Sequence, residues 1–465
     1  MQKVFGLVAL LLLCSCARAG FSSHQTGDAA ALDTLSDAWL ARDINNNDIT
    51  SPDMDVSSPD LGPTPGTLDK SWNGTGIAVF DDARAVEGLA EEVIEDAAGR
   101  MVLVGMCMVG AGRDACAIRF EAGGAVDTLF ADAGFLLFDR SPADWARDIA
   151  VDHQSRVVIA GYSEWGADDA VIWRLDERGG LDTSFINPEG YLRIADSGET
   201  EAMSLEIDAK GNYVIACQVR GINKLGLWRV KPDGTLDATF GNGGSVVEGT
   251  FNSPVDPDLA IDSKGRIVVT GSAERGVGFG MDMVVYRFLT DGTPDAAFNG
   301  RGTFSHDGAA GTPGADDHGS NVAVDAQDRI LIAGQSHNGA NDDAIVWGIT
   351  PDGVLDTSFG TGGIVRLDGA AGGFGDDHAS AITVDTTGRI LIAGSSTTLT
   401  NGTNLVVSRL TAEGELDTAF GPSGEGHFVE STNESGARGV QLDSTGRIMV
   451  AATRHSRLAV YRLFN

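Results

Sequence analysis

Two identical tripeptides concentrate the reactive side chains of this sequence: Asp316-Asp317-His318 and Asp376-Asp377-His378. A neutral imidazole beside carboxylates is a donor set for a divalent metal, or a general acid–base pair near neutral pH. Both histidines occupy one register position, seven residues before a recurring Asp. Along the chain that position reads Leu89, Trp145, Glu201, Val255, His318, His378 and Gly436. A metal-dependent lyase or hydrolase site would draw on His318, His378 and an acid such as Glu201, with Trp145 beside them. The competing reading makes Asp-Asp-His a repeat-encoded loop that bonds its own backbone. The pairs Asp168-Asp169 and Asp342-Asp343 show how freely the chain uses adjacent Asp residues. No Gly-x-Ser-x-Gly nucleophile motif accompanies these groups. The expectation is a protein without a catalytic set and without a cofactor, a divalent cation being the one ligand of that kind left open.

The elements that position these residues follow from an internal repeat. An apolar residue, Asp, two variable residues and an aromatic recur seven times, at Asp69, Asp127, Asp182, Asp237, Asp295, Asp356 and Asp417. Only Pro294 departs from the aliphatic residue before the Asp. Successive anchors lie 58, 55, 55, 58, 61 and 61 positions apart. Between them four short runs recur; in the sixth copy they are 363–367, 379–384, 389–394 and 405–410. Each is rich in β-branched or aliphatic residues and bounded by Gly, Asp or Asn. Four short strands per repeat make one blade of a propeller.

A turn Asp closes the second run of every copy: Asp96, Asp152, Asp208, Asp262, Asp325, Asp385 and Asp443. In most copies Gly stands three positions on, followed by Arg or Asn. Asp accepts a bond from the backbone two residues on, and Gly takes the left-handed position, so these carboxylates read as hairpin chemistry. An aromatic before Arg recurs at Trp173, Trp228, Tyr286 and Tyr461, and Trp347 precedes Gly348 instead. These rings are expected to pack between sheets rather than to form a sugar-stacking row.

The fold expected is all-β: a seven-bladed propeller of four-stranded antiparallel blades. The orphan run 76–80 becomes the outermost strand of the last blade, which removes an exposed edge and ties the two chain ends together. Variable loops then lie on one face, where a protein or glycan ligand is expected.

The patterns Leu-Asp-x-x-Phe-Gly-x-Gly-Gly (236–244, 355–363) and Ala-x-x-Val-Asp-x-x-Gly-Arg-Ile-x-x-Ala-Gly resemble the delta-60 repeat of bacterial exported proteins. The second pattern is carried by residues 381–394, and the wider stretch 379–394 follows it closely. The resemblance spans 68–465 and implies the propeller; it implies no common activity. Trp72-Asn73 and Ile186-Asn187 depart from the Phe-Gly element.

Upstream, residues 1–19 read as a signal peptide, with Lys3 before the apolar run 4–13, which is too short to span a bilayer. Two cleavage readings stay open: a lipobox at Leu13-Cys14-Ser15-Cys16, which would lipidate Cys16, and an A-x-A site at Ala17-Arg18-Ala19. Residues 20–67 read as an acidic tether rich in Ser, Pro and Asn, mostly disordered. The protein is therefore expected to be exported, as an envelope lipoprotein or a secreted monomer touching a membrane only through a lipid, and to act as a non-enzymatic binding scaffold, with a self-associating structural surface protein as a further alternative. Cys107 and Cys116 flank one strand connection and are expected to pair in an oxidising compartment. Cys217 reads as a core thiol. With 66 acidic against 33 basic residues the formal charge is −33, which excludes nucleic acid as a partner.

Overall fold

The computed structural model describes residues 63–465, apart from 86, 111, 140, 165–166, 187, 195–198, 250–251, 275–279, 399–401 and 432–435. The signal segment, Cys16 and the tether up to residue 62 lie outside the described residues. Seven four-stranded antiparallel sheets follow one another. From innermost to outermost strand, the first blade comprises Glu87–Glu95, Met101–Val109, Gly112–Phe120 and Phe135–Phe138. The second comprises Asp144–Val151, Val157–Glu164, Asp168–Arg174 and Tyr191–Ile194, and the third Thr200–Ile207, Tyr213–Val219, Lys224–Val230 and Ser245–Glu248. The fourth comprises Asn252–Ile261, Ile267–Glu274, Met281–Phe288 and Thr303–His306, and the fifth Asp317–Val324, Ile330–His337, Asp342–Ile349 and Ile364–Leu367. The sixth comprises Asp377–Val384, Ile390–Thr398, Gly402–Leu410 and His427–Glu430. Each innermost strand packs on the innermost strands of both neighbours, and the seventh packs on the first, so the ring is closed.

The seventh blade shows how. Its strands Ala437–Leu442, Ile448–Arg454 and Arg457–Leu463 are completed by Ile77–Val79 from the other end of the chain. Ile77 pairs with Tyr461 and Val79 with Ala459. The seal extends further upstream than the repeat pattern suggests. Gly66 N–H donates to the Phe464 carbonyl at 2.7 Å, and Gly421 N–H donates to that of Pro65 at 3.0 Å. Residues 65–67, read from composition as tether, are therefore bonded into the ring.

Both faces of the second and third strands are buried, because each sheet is packed on two sides. In the first blade Val102, Val104, Ala115 and Ala117 face the second blade, where they meet Val171 and Trp173. Met101, Leu103 and Ile118 face the seventh, where they meet Met449 and Val460. The recurring aromatics sit at these seams. Trp173, Trp228, Tyr286, Trp347 and Tyr461 are all buried, so they pack blades and form no exposed row.

The turn Asp behaves as its spacing predicts. Asp96 Oδ1 accepts the N–H groups of Ala98 (2.9 Å) and Arg100 (3.0 Å), while Arg100 Nε donates to Oδ2 at 2.7 Å. Gly99 takes the left-handed conformation this turn requires (φ 76°).

The anchor Asp has a second role. An Arg near the end of the third strand turns back onto it: Arg119 to Asp127, Arg174 to Asp182, Arg229 to Asp237, Arg287 to Asp295 and Arg409 to Asp417. All five Nε–Oδ2 bonds are 2.7–2.8 Å long. The same guanidinium lies over the anchor aromatic, 4.4 Å from the Phe130 centroid and 4.5 Å from those of Phe185 and Phe298. Its far end reaches the next blade, where Arg119 Nη1 donates to the Glu177 carbonyl at 2.8 Å and Arg287 Nη1 to that of Pro351. Each such Arg is thus a pin through the strand connection of one blade and the turn of the next. In the fifth blade Gly348 replaces the Arg, Phe359 fills the space where a Cβ would stand, and Arg329 covers the ring from the turn instead.

Removing one partner of a buried pair leaves the other charge uncompensated, which costs about 3–5 kcal/mol. Arg287→Ala should destabilise the ring by about that amount in denaturant unfolding, and adding Asp295→Ala should cost less than the sum of the two single changes. Deleting residues 68–80 should lower the melting temperature sharply; an unchanged value would contradict this closure.

Candidate functional site at the channel mouth

Every innermost strand carries a bulge at the same place. Register shifts fall between Ala90 and Glu92, Ala146 and Asp148, Ala202 and Ser204, Val255 and Asp258, Gly319 and Asn321, Ala379 and Ala381, and Ala437 and Gly439, and the fourth blade adds a second between Asn252 and Val255. An extra residue bends the strand and re-aims side chains. Here it presses a carbonyl against the neighbouring strand. A Cβ at Gly334 would stand 1.8 Å from the His318 oxygen, and one at Gly394 1.9 Å from that of His378. Gly105, Gly161, Gly334 and Gly394 leave room for that carbonyl in blades one, two, five and six, while Cys217 and Ala452 stand at the same position in blades three and seven.

The bulges turn polar residues into a central cavity of about 940 Å³. Four of them form a belt on its wall, each capping a backbone N–H of the next blade. Asp148 accepts from Leu205 (2.6 Å), Ser204 from Leu259 (3.2 Å), Asp258 from Val322 (2.7 Å) and Asn321 from Ile382 (2.8 Å). Onward from there the matching positions are Ala381 and Gly439, which carry no side-chain acceptor, and Glu92, whose carboxylate accepts its neighbour Val93 N–H (2.9 Å).

The residues seven before the turn Asp ring the mouth, and four of them reach back to the preceding blade. Half-buried Trp145 donates from Nε1 to Glu91 at 2.8 Å and lies beside Tyr162, ring centroids 6.3 Å apart. Arg147 stacks over Trp145 at 5.0 Å, and both Arg147 and Arg438 reach Glu91, at 3.3 and 3.4 Å. Glu201 is buried, ion-paired with Arg220 at 2.9 Å and hydrogen-bonded to Asp168; burial first, then this second carboxyl, raise its pKa to about 7 against the pull of Arg220. His318 Nδ1 meets the Ser272 hydroxyl at 3.0 Å. His378 Nε2 lies 3.7 Å from Asp342, which His337 already holds at 2.8 Å.

The Asp-Asp pairs do structural work. Asp316 Oδ1 accepts Met281 N–H (2.8 Å) and Asp376 Oδ1 accepts Asp342 N–H (3.1 Å), each stitching two blades. Asp317 caps Gly308 N–H and Ala309 N–H, and Asp377 caps Gly369 N–H. The structure does not bring His318, His378 and Glu201 together. Among the described residues the one three-carboxylate or mixed group with metal-ligand spacing contains none of them. Cys107 and Cys116 are joined by a disulfide with Cα atoms 5.9 Å apart, and Cys217 is a buried free thiol whose pKa burial pushes up.

Position-by-position reading of the mouth missed the wall below it. Glu91, Glu92, Asp148, Glu206, Asp256 and Asp258 line the cavity, with Arg147 and Arg438 the two arginines among its lining residues. The available signal was charge inside strands of otherwise apolar character, as in Glu91-Glu92 and Arg147-Asp148. Loss of bulk water first, and mutual repulsion second, push Asp258 up to about 7 and Glu206 up to about 8; Glu92 is raised for the same reasons. Asp148 rises to about 6 through burial, against the amides of Leu205 and Ile149.

Four segments, residues 215–240, 265–298, 328–359 and 386–420, match the family model described as a domain of unknown function (DUF5122) beta-propeller. With the fold above, these matches support a β-propeller repeat family. No curated protein matches the chain in sequence. Among solved structures, the WD40 beta propeller domain of Doa1 is similar over 84% of this chain and 97% of its own, at 12% identity and a TM-score of 0.45. Sqt1 of Chaetomium thermophilum is similar over 83% and 97%, at 11% identity and 0.46. A puromycin hydrolase is similar over 84% and 53%, at 12% identity and 0.49.

Carboxyls raised above their unfolded values bind more protons in the folded state, so the stability they contribute is full at acid pH and lost as pH rises through their folded values. For Asp148, Asp258 and Glu206 the loss begins above their ordinary values of 3.8, 3.8 and 4.5 and is complete at about 6, about 7 and about 8. The melting temperature should therefore fall across this range. Glu206→Gln should raise it at the alkaline end and leave it unchanged below about pH 4, which thermal melts at several pH values will read directly.

Proposed function

We propose that this protein is an exported, non-enzymatic binding module whose channel mouth takes a cationic segment of a partner protein. The observation that carries the reading is the wall itself: six carboxylates against two arginines, beside the half-buried rings of Trp145 and Tyr162. Such a wall repels phosphate backbones and attracts Lys and Arg, whose stems lie against aromatic faces while their charges meet carboxylates. Bound cations also favour the ionised forms of Asp258 and Glu206, which burial first and mutual repulsion second disfavour.

Export rests on the apolar segment 4–13, on the Leu-Cys-Ser-Cys16 and Ala-x-Ala cleavage patterns, and on the Cys107–Cys116 disulfide, which belongs to an oxidising compartment. The delta-60 reading of the repeat rests on residues 236–244, 355–363 and 379–394 and agrees with export. The metal-dependent enzyme reading loses ground because His318, His378 and Glu201 are each engaged with a different preceding blade.

The test is fluorescence anisotropy with a labelled Lys/Arg-rich peptide and with neutral oligosaccharides. Peptide binding should weaken steeply with salt. The double change Glu206→Gln, Asp256→Asn, on two side chains that line the channel, should weaken it by roughly tenfold, the equivalent of about 1.4 kcal/mol. Oligosaccharide binding without peptide binding would replace the cationic partner with a glycan, and salt-independent peptide binding would reject the electrostatic account.

A further inference from the structure

Away from the channel, at the seam of the fifth and sixth blades, three carboxylates from three separate strand ends converge. Asp343 is the second residue of a third strand, Asp368 follows an outermost strand and Asp377 opens an innermost one. One oxygen from each lies within 4.8 Å of the others. Asp343 is fully buried, Asp377 is 3% exposed and Asp368 faces solvent. The cation described beside them is Arg366, bonded to Asp343 at 2.8 Å and to Asp368 at 3.2 Å. Three carboxylates and one guanidinium leave two negative charges.

The seam one blade earlier shows what is unusual here. Its corresponding residues are Asp282, Asp307 and Asp317, and the pentapeptides Asp307-Gly308-Ala309-Ala310-Gly311 and Asp368-Gly369-Ala370-Ala371-Gly372 are identical. In the earlier seam both oxygens of Asp317 accept loop amides, from Gly308 and Ala309, and Asp307 is drawn off by Gly314 N–H at 2.7 Å. In the later seam Asp377 Oδ2 accepts Gly369 N–H, but Asp377 Oδ1 is buried with no hydrogen-bond partner. An unmatched carboxylate oxygen at that burial is costly unless something positive meets it.

We propose that Asp343, Asp368 and Asp377 form a Ca²⁺ site that staples the fifth blade to the sixth. An all-oxygen, carboxylate-rich donor set suits a hard cation, and the two residual charges match a divalent one. Loop carbonyls and water supply the remaining oxygens that Ca²⁺ takes. The site stands apart from the channel and does not depend on what binds there.

Calorimetric titration of the EDTA-treated full chain with CaCl₂ should show one ion per chain, with a parallel rise in melting temperature. Asp377→Asn should weaken binding at least about tenfold. Asp368→Asn, on an exposed side chain whose loss leaves folding intact, should do the same and keeps the test decisive if Asp377→Asn misfolds. Glu206→Gln should retain full Ca²⁺ binding. No binding at millimolar Ca²⁺, or binding that survives both Asp changes, would overturn the proposal. So would binding lost in Glu206→Gln alone, which would put the cation in the channel.

Discussion

The ring depends on a buried charge that serves two blades at once. A guanidinium such as Arg287 neutralises the anchor Asp of its own repeat, covers the anchor Phe, and donates to the turn of the next repeat. Apolar contact between sheets is strong but non-directional, and it would tolerate sliding. The pin fixes the height and angle at which neighbouring sheets meet. The fifth blade supports this from the opposite direction. Where Gly348 removes the Arg, Phe359 fills its place and Arg329 is borrowed from the turn, so the anchor Phe359 and Asp356 still face a guanidinium.

Much of this was legible in the sequence because it is local. The turn Asp, the Gly or Asn that follows, and the alternating apolar runs each act within a few residues, and seven copies make the pattern unmistakable. Ring closure followed from counting strands, since Ile77–Val79 had no partner until the last blade was reached. The anchor Asp was visible as a pattern but not as the partner of Arg174 or Arg229, because that bond joins residues across a turn whose geometry appears only in the folded blade. The bulges were hidden for a similar reason: a bulge is a relation between two strands. Its trace in the sequence, the Gly at 334 and 394, reads as composition until the His318 and His378 carbonyls are placed beside it.

The histidines illustrate the difference between a shared position and a shared site. His318 and His378 are equivalent in the repeat, as are Trp145 and Glu201. In a propeller, equivalent positions are related by rotation about the channel, so each faces its own neighbour. They form a ring of separate contacts around the mouth, and the chemistry collects lower on the wall, where carboxylates from several blades meet around one cavity.

The belt of capping side chains on that wall has a direction and an interruption. Asp148, Ser204, Asp258 and Asn321 each hold the amide of the following blade, and then Ala381 and Gly439 hold nothing. The interruption falls beside the one blade assembled from both ends of the chain. The ring therefore resembles a clasped bracelet more than a uniform hoop. Blades two to six are linked by this belt like a chain, and the clasp is held by other groups: Thr453 accepts Ala90 N–H at 3.1 Å, Ser444 donates to Glu95 and Arg438 reaches Glu91 at 3.4 Å.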